Sequence, residues 1–243
     1  MTLKELQKIL TSIAPADREA MDRAKKRQAE LAKPPGSLGK LEDMSIRLAG
    51  ITGQVRNQLE SCRILVFAAD NGVIAEGVSS SPESVTMSQA VNMTRHITGM
   101  SALARYFGNS VVVADVGINA EVRCPAILNR KIRRSTRNLA KEPALTRQEV
   151  LDAMGVGLEL AGQAKEEGVQ AIGVGEMGIG NTTTSSAVLA ALTGAAVEQV
   201  TGRGGGLTDQ GFATKKRVIE SGQFSRRGRD LPGEQAHRQG GSP

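Results

Sequence analysis

The chain has 243 residues, 40% of them apolar and 23% charged, with a formal net charge of +6. Those proportions belong to globular proteins and exclude a wholly disordered or a membrane-embedded chain, and the length suffices for one large α/β domain or two smaller ones around a buried core. With no tryptophan, one tyrosine and four phenylalanines, the chain lacks the aromatic platforms on which single-stranded nucleic acid stacks, so a nucleic-acid partner is not expected despite the basic balance.

Residues 1–10 mix Lys4, Glu5 and Lys8 among leucines. Without an uninterrupted apolar stretch they predict no signal peptide and no membrane span, hence a cytoplasmic protein. Leu3, Leu6 and Leu10 share a helical face, and Asp17 is placed to cap a second helix from Ala20 to Leu31. The prolines of Lys33-Pro34-Pro35-Gly36-Ser37-Leu38-Gly39 break that helix, and Leu41, Met44 and Leu48 restart one. Taken alone, the break reads as an interhelical turn, and residues 1–60 read as a helical segment.

Cys62 to Ala69 is a nearly continuous apolar run closed by Asp70-Asn71-Gly72, the pattern of a parallel strand covered on both faces. Ser110 to Val116, closed by Gly117, and Val169 to Val174 repeat it. Between them, Ser81-Pro82-Glu83 predicts a helix running toward Met93, with a cap residue, a proline at the first helical position and an acid in the first turn. Thr146 to Glu166 predicts a longer helix with Leu151, Met154, Leu158 and Ala161 on one face. Repeated strand-then-helix units predict an α/β fold over residues 61–220, a doubly wound, mostly parallel, Rossmann-like sheet beside an N-terminal helical subdomain. Its ligands are expected at the carboxyl ends of the strands. Residues 221–243 carry Arg226, Arg227, Arg229 and Arg238 with only Phe224, Leu231 and Ala236 apolar, and predict a disordered tail that holds part of the positive charge.

Asp70, Asp115 and Glu176 fall at or just beyond predicted strand ends, where such a fold places its site; an aspartate there also serves simply to bind turn N–H groups. The stretch from Gly173 to Ser185, followed by an apolar helix from Ala187 to Leu192, fits two nucleotide motifs as letters. Gly173, Gly175 and Gly178 match G-x-G-x-x-G, and Gly175 to Thr182 match the P-loop spacing with Asn181 in place of the lysine. Asparagine carries no charge toward β- and γ-phosphates, which argues against a triphosphate hydrolase. A dinucleotide site wants an acid at the end of the next strand, whereas Glu198 runs at once into the turn-rich Thr201 to Thr208. A glycine loop opening a Thr/Ser-rich helix still favours a bound phosphate, through free N–H groups and the helix dipole, so a monophosphate or mononucleotide fits best; a tight βα turn is the plainer reading. A second glycine loop, Gly202 to Asp209, precedes a helix bearing Lys215 and Lys216, either of which could face the same phosphate. Cys62 and Cys124, with His96 and His237, are too few for a disulfide framework or a Cys/His zinc centre, and no metal or cofactor is expected.

Several of these segments together resemble the nicotinate-nucleotide:dimethylbenzimidazole phosphoribosyltransferase family of cobalamin biosynthesis. They are Lys33 to Glu42, Ala69 to Val73 with Glu76-Gly77-Val78, the Ser81-Pro82 to Met93 helix, Asp115-Val116-Gly117, Gly175 to Thr183 and Gly202 to Asp209. Asn71 departs from the pattern, the family's residue there usually being histidine. The resemblance implies a homodimeric enzyme that moves 5-phosphoribosyl from nicotinate mononucleotide to 5,6-dimethylbenzimidazole, releasing nicotinate and α-ribazole 5′-phosphate with inversion at the anomeric carbon. It implies Glu176 near the ribose and nicotinate, phosphate held by Lys215 and the Gly178, Gly180, Asn181, Thr182, Thr183 loop, and Ser81 and Gln89 lining the benzimidazole pocket, with Asp70 also at the substrate. Family members continue for roughly another hundred residues, a domain's worth, including the Gly-Glu-Gly segment whose glutamate is the general base. That segment is not in this sequence, so turnover is expected to be impaired. A catalytically inactive mononucleotide-binding protein of the same fold is the alternative reading.

Overall fold

A computed structural model of the chain describes residues 1–222. The expectation of a disordered tail therefore lies outside the described residues except for Ser221 and Gly222, which close the last helix. Met1–Cys62 form one compact unit and the described residues from Arg63 onward a second.

The first unit holds three helices, α1 (Leu3–Thr11), α2 (Arg18–Glu30) and α3 (Lys40–Thr52). Thr2 and Glu5 close a capping box on α1, and the Asp17 carboxylate accepts the Ala20 N–H to start α2. α2 and α3 meet through Ala20, Ala24 and Ala49, small residues that let two helices approach closely. The Pro/Gly stretch between them is a turn pinned by Glu42, which pairs with Lys33 at 2.6 Å and accepts the Leu38 N–H at 3.2 Å. The Lys33 ammonium holds the Glu42 carboxyl below its usual range.

Among the described residues the second unit holds a four-stranded sheet in the order β3-β2-β1-β4, with β1 at Cys62–Ala69, β2 at Ser110–Gly117, β3 at Ile127–Asn129 and β4 at Ala171–Met177. β1 pairs parallel with β2, and β2 with β3. Gly173 lies over Ile64 and Gly175 over Val66, so β4 advances along β1 in the same direction. After β1 comes a 3₁₀ turn (Gly72–Glu76), followed by α4 (Val85–Thr94) and α5 (Gly99–Tyr106). α6 (Arg147–Glu166) precedes β4, and α7 (Asn181–Thr193), α8 (Val197–Val200) and α9 (Asp209–Ser221) follow it. Val66, Ala68 and Val113 face Ala90 of α4 on one side of the sheet. Leu65 and Ala114 face Val156 and Leu160 of α6 on the other. Helices on both faces of a mostly parallel sheet make the fold doubly wound and Rossmann-like, as the strand-helix alternation predicts.

Four local expectations change. α4 starts at Val85, because Pro82 and Glu83 spend their carbonyls on Val85 and Thr86 in a preceding turn, so Ser81 does not cap it. β4 starts at Ala171 because the Val169 N–H turns back to Ala164 and closes α6, and it runs on through Glu176 because Gly173 and Gly175 lie against β1 without a gap. β4 is also not covered on both faces: Val174 is 77% exposed. The buried stripe of α6 is Leu151, Val156, Leu160 and Ala164, whereas Met154 and Leu158 are 44% and 39% exposed. Periodicity located that helix but not its rotation about its axis. Among the described residues no helix is long and apolar enough to cross a membrane.

Candidate active site

The chain builds the sheet outward from β1 through β2 to β3 and then returns to the opposite edge of β1 for β4. Such a reversal opens a crevice at the carboxyl ends of the two strands where order switches. Here those ends deliver Asp70-Asn71 after β1 and Gly178-Ile179-Gly180 after β4.

The two loops interlock. A Cβ on Gly178 would overlap the Ala69 carbonyl oxygen and lie 2.9 Å from the Asn71 amide nitrogen, so only glycine permits this approach. The Asn71 side chain donates to the Ile179 carbonyl at 3.2 Å and accepts from the Thr184 hydroxyl at 3.0 Å. The Ile179 N–H donates to the Thr86 hydroxyl of α4 at 3.0 Å. The chain then enters α7, whose first residue, Asn181, donates through its side-chain amide to Glu176. Glu176 is exposed, at the rim of the same crevice.

Lys215 arrives from α9 and is the largest fully buried side chain of the described residues, with 0% exposure. Its ammonium donates to the Thr182 hydroxyl at 2.8 Å and to the Gly202 carbonyl at 2.9 Å, and burial pushes its pKa down. Neither acceptor is charged. Gly204, at φ +59°, brings the second glycine loop in so closely that a Cβ would sit 2.7 Å from the Thr182 hydroxyl and 3.5 Å from Lys215 Nζ. The Ser80 hydroxyl holds that loop through the Gly205 carbonyl at 3.2 Å. A buried cation, a helix amino end and two glycine loops thus converge, an arrangement suited to an anion.

Asp70 is 2% exposed. One carboxylate oxygen accepts the Asn119 N–H at 2.8 Å, the other has no hydrogen-bond partner of good geometry among the described residues, and burial raises its pKa. Asp115 lies within β2, not beyond it; it accepts the Gly117 and Ile118 N–H groups and pairs with Lys131 at 2.9 Å. Of the three strand-end acids, only Glu176 is exposed. Of the two lysines, Lys215 faces the glycine loops and Lys216 lies over the Phe212 ring. Ser81 is half-buried beside Ser80, its N–H bound to the Ser79 hydroxyl. Gln89 is half-buried on α4, one turn beyond Thr86. Thr183 is fully buried, and its hydroxyl, like that of Thr201, has no hydrogen-bond partner among the described residues. Thr86, Ser80 and Asn119 carry no local sequence signal, since their partners lie 93, 125 and 49 residues away. Among the described residues no group of His, Cys, Asp or Glu is gathered as metal ligands would be.

A family model described as "Phosphoribosyltransferase" matches residues 13–241. The nicotinate-nucleotide–dimethylbenzimidazole phosphoribosyltransferase of Clostridium perfringens strain 13 is 46% identical over 215 residues, covering 88% of this chain and 60% of that protein. Its namesake in Geobacter sulfurreducens is 44% identical over 223 residues, covering 91% of this chain and 63% of that protein. The crystal structure of CobT from Thermus thermophilus superposes with a TM-score of 0.82 at 39% identity, covering 88% of this chain and 64% of that one. The chain thus spans about 60% of the length of the curated relatives it matches. On sequence, family model and fold alike, the chain belongs to this phosphoribosyltransferase family.

Proposed function

We propose that the protein transfers 5-phosphoribosyl from nicotinate mononucleotide to 5,6-dimethylbenzimidazole, as its relatives' names state for them. The observation that carries this reading is the buried Lys215 ammonium, without a carboxylate partner among the described residues and set beside Thr182 and Gly204. A permanent buried cation is costly unless an anion completes it, and a 5′-phosphate supplies that anion.

With the phosphate held there by Lys215, Thr182, Asn181, Thr183 and the Gly178 and Gly180 amides, the ribose lies toward the β4 end of the crevice and Glu176. The C1′–N bond breaks with its electron pair going to the nicotinate nitrogen. That ring leaves as a neutral pyridine and needs no general acid. The unprotonated azole nitrogen of the incoming base attacks C1′ from the opposite face, inverting it, and the other nitrogen loses its proton. Glu176 stabilises the positive charge developing on the ribose and is the carboxylate available here to accept that proton. Ser81 and Gln89 flank the acceptor pocket, and Asp70 holds the Asn119 backbone behind it. We further infer a homodimer, which the exposed apolar side chains of β4 and α7 support.

The test is turnover of nicotinate mononucleotide with dimethylbenzimidazole, followed by mass spectrometry for nicotinate and α-ribazole 5′-phosphate. Both products are expected in equal amounts, and their loss in Glu176→Gln. Saturable nucleotide binding without product would replace this reading by that of a non-catalytic mononucleotide-binding protein.

A further inference from the structure

We propose that Thr86 and Asn71 are positioning residues that clamp Ile179 between them and so fix the direction of the Gly180 and Thr182 N–H groups, at the entry to α7, toward the phosphate; the inference rests on the reading of the site given above. Both polar groups of that residue's backbone are held by side chains from other elements. Thr86 Oγ1 takes its N–H at 3.0 Å, and Asn71 Nδ2 gives to its carbonyl at 3.2 Å. Neither holder is itself free to wander. Thr86 is fully buried on α4 next to the buried Asp70 carboxyl, and Asn71 Oδ1 is tied to the Thr184 hydroxyl one turn into α7.

The loop needs such a clamp. Ile179 lies between two glycines, and Gly180, at φ +86°, turns the chain into α7 as a cap with no side-chain hydrogen bond of its own. Glycine has more conformations open to it than any other residue, so a Gly-Ile-Gly entry left to itself would sample many directions. An anion site built on N–H groups gains from their being set before the ligand arrives, since ordering them on binding subtracts from affinity. Neither residue is required to touch the nucleotide.

The experiment compares Thr86→Val, which keeps the shape and removes the hydroxyl, with Thr86→Ser, which keeps the hydroxyl, and with Asn71→Asp, which keeps the acceptor for Thr184 and removes the donor to Ile179. Amide hydrogen exchange at residues 179–182 is read without ligand. Affinity for nicotinate mononucleotide is read by calorimetry, and thermal unfolding verifies that each variant is folded. For Thr86→Val and Asn71→Asp we expect exchange at these amides to rise about tenfold and affinity to fall about tenfold, the worth of one buried hydrogen bond. Thr86→Ser restores both. Unchanged exchange in folded Thr86→Val and Asn71→Asp overturns the clamp. Faster exchange with unchanged affinity overturns its role in binding. A wild-type chain that binds no nucleotide overturns the reading of the site and, with it, the coupling to phosphate, while the exchange rates still decide the clamp.

Discussion

At Lys215 stability and the proposed phosphate site pull in opposite directions. Its ammonium is fully buried against two neutral acceptors, and its pKa is lowered by that burial. A lysine whose folded pKa lies below the unfolded value weakens folding at neutral pH, and the penalty fades as pH rises toward the ordinary lysine value, because the unfolded chain binds the extra proton. Lys215→Met is therefore expected to unfold at a higher temperature than wild type at neutral pH, with the gap narrowing as pH approaches the ordinary lysine range. Its affinity for nicotinate mononucleotide should fall on the order of 10- to 100-fold, the worth of charge-assisted hydrogen bonds. Melting curves across pH and calorimetry check the two halves separately. Ser135 is a second strained residue: it sits at φ +51° with its buried hydroxyl lacking a hydrogen-bond partner among the described residues. Left-handed backbone costs a non-glycine residue about 1–2 kcal/mol, partly offset by glycine's greater freedom when unfolded. Ser135→Gly is expected to gain about 1 kcal/mol, read as a melting temperature higher by about 2–4 °C.

The entry to α7 and the second glycine loop act as one unit at the scale of elements. Gly204 at φ +59° brings backbone within reach of the Thr182 hydroxyl and Lys215 Nζ, with no room for a methyl group. Gly204→Ala is expected to push Thr182 off Lys215 and lower nucleotide affinity by about tenfold or more, with a loss of stability of about 1–3 kcal/mol from overpacking and backbone strain. Calorimetry and denaturant melts measure both effects. α6 is started by Glu149, which closes a capping box with Thr146 and binds Arg137 at 2.7 Å. The Arg137 guanidinium, with the Thr146 N–H, lowers the Glu149 pKa to about 2. A carboxylate depressed in the folded state adds stability above its ordinary value of 4.5, and that contribution is lost as pH falls toward 2. Glu149→Gln should be less stable than wild type at neutral pH and indistinguishable from it near the depressed pKa in urea titrations.

The sheet of the second unit, within the described residues, ends on a strand that lacks the usual protection of an edge. β4 has no proline and no lysine, and Val174 is largely exposed, as are Leu189 and Leu192 on the following helix. Natural edges are blunted by charge, proline or a bulge, and β4, whose one charged residue is Glu176 near its carboxyl end, has none of these from Ala171 to Gly175, where such an edge tends to recruit another chain. Sedimentation velocity over a concentration series is expected to show self-association of the wild type, reduced in Val174→Lys. Because the substituted side chain is already exposed, the monomer's stability should change by less than about 0.5 kcal/mol in a denaturant melt.

Much of the fold was legible because it follows from local rules. The cap at Asp17, the helix break at Pro34-Pro35 and the limits of β1 are decided by neighbouring residues, and the apolar runs that alternate with helices leave a doubly wound sheet as their natural packing. The glycine loops and the Thr/Ser-rich start of α7 likewise stand out in the spacing of their residues, and the proposed phosphate site grows from that reading. What sequence could not decide was every matter of rotation and distance. The buried side of α6 depends on which stripe meets Leu65 and Ala114, the exposure of β4 on its place in the sheet, and the separation of Lys215 from Lys216 on which of two adjacent residues faces the core. The hold of Thr86 and Asn71 on Ile179 spans 93 and 108 residues, and no local pattern encodes a contact at that range. Composition and spacing determined which groups the chain would bring to the strand ends; only the packed sheet decided which of them meet.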